Sequence, residues 1–134
     1  MIDSARYASL LEHFARYFAA CDGYDLDTVM DILQGATVTS GGVTTTDPLA
    51  LRDFYATRQP PPLADGRRVT KHHVTNLIVE GPDDDGVTAA RAYYFRLEPG
   101  DHVPSVAASG RLEQAVVREG SRWRVLRHSI LSDF

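Results

Sequence analysis

The chain has 134 residues, with 18 acidic and 14 basic side chains and a formal net charge of −4. That length suits one domain with a single substantial core. The acidic balance leaves no electrostatic footprint for nucleic acid or an anionic membrane. No apolar run approaches the roughly 20 residues of a membrane span, and an N-terminus carrying Asp3 and Glu12 does not read as a signal peptide. One cysteine, Cys21, excludes an intrachain disulfide and is compatible with a reducing compartment, so a cytoplasmic location is expected. The sequence has no zinc-type Cys/His spacing, no Gly-rich phosphate loop and no G-x-S-x-G elbow, so neither a metal nor an organic cofactor is expected.

In chain order, Ser4 is positioned to cap a first helix over residues 4–21, whose Tyr7, Leu10, Leu11, Phe14, Tyr17, Phe18 and Cys21 share one broad apolar face. Asp22-Gly23 breaks it, with Gly23 suited to a left-handed C-terminal position. Asp25 caps a short second helix over 25–33, ended by Gly35. Residues 36–40 read as a short strand and Gly41-Gly42 as a turn or bulge. Thr46 or Asp47 caps a third helix, 47–57, with Pro48 at its first position. Gln59-Pro60-Pro61-Pro62 cannot continue it and forms an extended connector. From Arg68 the chain reads as strands 68–80, 87–98, 104–118 and 121–131, with reversals at Asp83-Asp84-Asp85-Gly86 and Glu119-Gly120.

Helices first and long antiparallel strands afterwards make an α+β order. A curved antiparallel sheet wrapped around three N-terminal helices makes a cone with a pocket inside. The first long strand carries two adjacent histidines. Its period of two puts His73, Thr75, Leu77 and Val79 on one face and His72, Val74, Asn76 and Ile78 on the other. This parity predicts that His73 looks into the cavity and His72 away from it. Val74 and Ile78 would then lie on the convex side, where an exposed apolar face predicts self-association as a homodimer or homotrimer.

The run Tyr17-Phe18-Ala19-Ala20-Cys21-Asp22-Gly23-Tyr24-Asp25-Leu26-Asp27 resembles the first-helix exit of the SnoaL-like, nuclear transport factor 2-like superfamily. His73-Val74-Thr75-Asn76 resembles its first long strand, and Ser109-Gly110-Arg111-Leu112 and Trp123-Arg124-Val125 its last two. The resemblance spans nearly the whole chain and implies the cone fold. Many unrelated activities share that fold. Within the superfamily the chain is most similar to the scytalone dehydratase and bile-acid dehydratase branch. Those enzymes keep an aspartate where this chain has Asp22 and a histidine where it has His73; the bile-acid enzymes also keep a tyrosine matched by Tyr17. The serine and asparagine that scytalone dehydratase uses fall here near Gly110 and Leu112, which leaves the substrate open. Ketosteroid isomerase is similar at Tyr17, but this chain has Thr39-Ser40 where that enzyme keeps its base aspartate. Limonene-epoxide hydrolase needs an Asp-Arg-Asp set, to which Arg91 would contribute.

The resemblance therefore implies a catalytic set of Asp22, His73 and Tyr17. Phe14, Phe54, Asn76, Arg91, Tyr94 and Leu112 are candidates for lining the substrate pocket. A carboxylate that accepts one ring N–H of a histidine fixes the tautomer and frees the other nitrogen as a base. A tyrosine hydroxyl then polarises a carbonyl oxygen. These parts suit elimination of water from a hydroxy-carbonyl compound of polyketide or steroid-like type, or a SnoaL-type cyclisation or isomerisation built on the same proton transfers. The contrasting reading is a non-catalytic binding or assembly module of the same fold, in which the pair is structural.

Overall fold

The computed structural model describes residues 2–134. Its elements are α1 (Ser4–Asp22), α2 (Leu26–Ile32), β1 (Thr37–Ser40), β2 (Val43–Thr45), α3 (Pro48–Arg58), β3 (Lys71–Glu80), β4 (Val87–Glu98), β5 (Ser105–Glu119) and β6 (Arg122–Ser132). The six strands form one curved, unclosed sheet in the order β2-β1-β6-β5-β4-β3. All neighbours are antiparallel except β1 and β6, which run parallel. The three helices and this mixed sheet give the α+β cone that the element order implied.

Five of the seven residues on the apolar face of α1, Leu10, Phe14, Tyr17, Phe18 and Cys21, are buried, while Tyr7 and Leu11 near its start are exposed. Leu10 and Phe14 are fully excluded from solvent, a burial that stabilises by about 1.5–3 kcal/mol for each side chain. The sheet answers with a matching inner face. In β4, Thr88, Ala90, Ala92 and Tyr94 are buried, and the residues between them point outward. The small Ala90 and Ala92 leave room for the helix.

Several local expectations change. The cap of α1 is Asp3, whose carboxylate accepts the Arg6 N–H at 2.9 Å, one residue before the expected Ser4. The left-handed residue after α1 is Tyr24 (φ 56°), whereas Gly23 keeps a right-handed φ of −84°. The expected turn at Gly41-Gly42 joins β1 to a further short strand, β2, which the threonine-rich run after it did not announce. Asp25 and Asp47 cap α2 and α3 as expected.

The most consequential departure lies in β3. Its pairing with β4 slips between Thr75 and Ile78, and Asn76 there adopts a left-handed φ of 56°. This is a β-bulge, one extra residue that reverses the inward–outward parity of everything beyond it. His72 and Val74 before the bulge share the inner face with Leu77 and Val79 after it. An unbroken alternation traced back from Leu77 therefore assigns the wrong histidine. Val74 faces inward, opposite Tyr94, so it is not part of the convex apolar face; Ile78 and Tyr93 are exposed there.

Candidate active site

Asp22 is the last residue of α1, and its carboxylate faces the start of β3. It accepts three hydrogen bonds: from the Thr70 hydroxyl at 3.0 Å, from the His72 main-chain N–H at 2.8 Å, and from His72 Nδ1 at 2.5 Å. Both side chains are almost wholly buried, 10 % exposed for Asp22 and 7 % for His72. A carboxylate can only accept, so Nδ1 carries a proton, and in the neutral imidazole Nε2 presents a lone pair. Nε2 makes no hydrogen bond among the described residues. The ring is held flat against Phe18, with centroids 5.0 Å apart and planes 13° apart, and Tyr94 flanks it at 6.0 Å.

His72 lines a cleft of about 540 Å³ inside the cone, together with Tyr17, Phe18, Phe54, Tyr55 and Tyr94. That volume falls in the range of small-molecule sites. Asp22 does not reach the cleft wall; it stands behind the imidazole. A larger groove of about 770 Å³ runs along the opposite side of α1, past His13, Arg16 and Trp123. Two of its ion pairs are Arg16 with Glu12 and Arg122 with Asp31, while Arg68 bonds the Gly66 carbonyl and Asp25 bonds Thr28. The inner cleft sets its histidine among five aromatic side chains, whereas the groove sets His13 beside Trp123.

The Tyr17 and Tyr55 hydroxyls, from α1 and α3, are 2.5 Å apart in the wall of this cleft. With Tyr17, which also has Cys21 as a hydrogen-bond neighbour, donating to Tyr55, the Tyr55 O–H is left for a ligand oxygen. Burial pushes both phenols well above their ordinary pKa, so both remain protonated donors at neutral pH. Cys21 also lines the cleft, but burial raises its thiol to about 12, which removes it as a nucleophile. Tyr94 packs over Gly110, its partner on β5. A Cβ at that glycine would sit 3.0 Å from the Tyr94 hydroxyl and 2.2 Å from the Leu131 carbonyl, so no larger residue fits.

The structure thus brings Tyr17, Phe54 and Tyr94 together at the cleft, with Asp22 behind the wall, but places His72 there instead of His73. His73 is exposed and stacks on Phe95 on the outer face, centroids 4.8 Å apart and planes 4° apart. Phe14 and Leu112 are fully buried core residues that do not line the cleft. Asn76 is exposed in the bulge, and Arg91 lies on the convex side, bonded to Glu80 at 3.3 Å. Neither meets the pocket, which also removes Arg91 from any Asp-Arg-Asp set.

The sequence reading missed Thr70, Tyr55 and Phe18 as site residues, and also His128. Tyr55 had a readable signal, since it lies with Leu51 on the apolar side of α3. His128 had none. It is fully buried on β6, accepts from the Gln114 amide at Nδ1 (2.8 Å), leaves Nε2 unpartnered among the described residues, and crosses the Tyr17 ring at 81° with centroids 4.6 Å apart.

An α+β cone with an aromatic cleft and a buried Asp22–His72 pair is a nuclear transport factor 2-like scaffold. The chain belongs to the SnoaL-like domain family, whose model matches residues 3–128. Among solved structures it is similar to Aln2 from a Streptomyces species, with 21 % identity and a TM-score of 0.79 over 99 % of this chain and 94 % of that one. It is similar to ActVI-ORFA from Streptomyces coelicolor, with 14 % identity and a TM-score of 0.79 over 97 % and 98 % of the two chains. A candidate scytalone dehydratase from Novosphingobium aromaticivorans is a further match, with 12 % identity and a TM-score of 0.73 over 97 % and 85 %. At these identities the likeness is one of fold. No curated protein is matched by the chain. No helix among the described residues is long and apolar enough to cross a membrane.

Proposed function

We propose that the chain is a lyase that removes water from a β-hydroxy-carbonyl compound by proton transfer through His72, with Asp22 positioning the imidazole. The observation that carries this reading is the His72 Nδ1–Asp22 bond, which leaves Nε2 unpartnered at the wall of an aromatic cleft. Nε2 takes the acidic proton from the carbon beside the carbonyl, and the C–H electron pair moves into an enolate. The free hydroxyl of the Tyr17–Tyr55 pair donates to the carbonyl oxygen where the negative charge gathers. The imidazolium, held by the Asp22 carboxylate, returns the same proton to the β-hydroxyl. The enolate re-forms the carbonyl, the C–O bond breaks and water leaves. One base on one face of the substrate makes the elimination syn, with no external oxidant or reductant. Aromatic walls from Phe18, Phe54 and Tyr94 suit a flat, fused-ring ketone of polyketide or steroid-like type.

The test is the absorbance of the conjugated product when a fused-ring β-hydroxy ketone is incubated with the protein. Wild type is expected to form the enone, and His72→Ala to turn it over slower by about 10²–10⁴-fold, the usual reach of general acid–base catalysis. Undiminished turnover in His72→Ala would end this reading.

A further inference from the structure

The cleft lining contains three arginines, Arg58, Arg96 and Arg111, and no aspartate or glutamate. Two of these cations are balanced by the protein. Arg96 Nε lies 3.2 Å from Glu98, near enough for charge pairing although poorly aligned for a hydrogen bond, and Arg111 reaches Asp133 at 3.3 Å and Glu113 at 3.8 Å. Arg58 differs. It ends α3 with its guanidinium stacked on Phe54, 4.7 Å from the ring centroid, and no carboxylate among the described residues lies within 4.0 Å of it. Opposite it is the Gly41-Gly42 turn, bare backbone in a left-handed conformation; a Cβ on Gly41 would meet the guanidinium at 3.4 Å. Arg58 is exposed to solvent; the stack orients its planar fork, and the glycines place no side chain against it.

We propose that Arg58 is a carboxylate-binding residue, and that the compound entering this cleft is an aromatic acid whose rings lie along Phe54 and its neighbours. One unbalanced guanidinium matches one negative charge, and its fork matches the two oxygens of a carboxylate. The proposal rests on the cleft being the substrate site. It adds a substrate class: a fused-ring hydroxy ketone that also bears a carboxylate, held by that group at a residue other than the base.

The experiment is calorimetric titration at pH 8 and low salt with 2-naphthoate and with 2-naphthamide, which differ only in the charged group, on wild type, Arg58→Gln and His72→Ala. Wild type is expected to bind the acid about tenfold tighter than the amide, the scale of a charge-assisted hydrogen bond. Arg58→Gln abolishes that preference and leaves amide binding unchanged; His72→Ala keeps it. Equal affinity for acid and amide in wild type overturns the proposal, as does a preference that survives Arg58→Gln, or no binding of either compound. The dehydration assay separates the two readings. Loss of turnover in His72→Ala without any acid preference leaves the lyase and removes the carboxylate anchor, and an acid preference with full turnover in His72→Ala does the reverse.

Discussion

The Asp22 carboxylate holds His72 twice, taking its main-chain N–H on one oxygen at 2.8 Å and its ring Nδ1–H on the other at 2.5 Å. One side chain at the end of α1 therefore sets both the position of β3 where it enters the cone and the rotation of the imidazole it carries. Asp22→Asn replaces one accepting oxygen with a donor that faces another donor. Turnover is expected to fall by about 10²–10⁴-fold. The double variant with His72→Ala should be little worse than the worse single, because groups acting as a unit are non-additive. Thermal denaturation should also show a loss of about 1–3 kcal/mol from the unsatisfied buried donor. Losses that multiply in the double variant would mean that the two residues work independently.

Tyr17 and Tyr55 share one proton donor to the cleft between two hydroxyls. Either single change to phenylalanine leaves one O–H in place, so each is expected to reduce turnover less than the double change does. Stopped-flow or steady-state assays of the three variants check this order. If Tyr55→Phe were silent while Tyr17→Phe matched the double, the donor would be Tyr17 alone.

The bulge at Asn76 explains how much of this site was legible. Helix positions, the two aspartate caps, the four long strands and the cone followed from apolar periodicity and turn chemistry, because the core obeys both. Asp22 and Tyr17 followed from a family pattern. The histidine did not, because strand parity holds only as far as the next bulge, and a single asparagine inside a β-rich run carries too weak a signal to mark one. Tyr55 and Phe18 were legible as inward-facing aromatics but not as cleft residues, because an aromatic on an apolar helix face reads the same whether it meets core or cavity.

That bulge is itself testable. At φ 56° glycine is comfortable, asparagine tolerates the conformation and a β-branched residue does not. Asn76→Gly is expected to leave the urea midpoint nearly unchanged, whereas Asn76→Val should lower stability by about 1–3 kcal/mol through backbone strain. Equal midpoints for both would mean that the position does not hold a left-handed residue in solution.

Burial pushes the His128 imidazole down to about 3, and neighbouring His13 acts in the same direction; His13 is itself lowered by burial, partly offset by its bond to Gln114. The unfolded chain takes up protons at these histidines below about 6.5, where the fold still refuses them. The His128 contribution to stability is thus complete above about pH 6.5 and is lost as the pH falls toward 3, at no more than about 1.4 kcal/mol per pH unit, and that of His13 declines in the same direction. Melting temperatures measured from pH 7 down to pH 4 should fall, and His128→Asn should flatten the slope. An unchanged slope in that variant would show that His128 does not stay neutral in the fold.

The assignment of the base rests on which of two adjacent histidines enters the cone, and one paired assay decides it. His72→Ala and His73→Ala are compared for turnover of the same β-hydroxy ketone. The His72 variant is expected to lose about 10²–10⁴-fold in kcat/KM, while the His73 variant, altered only on the outer face, stays close to wild type. A large loss in His73→Ala with His72→Ala still active would contradict the account.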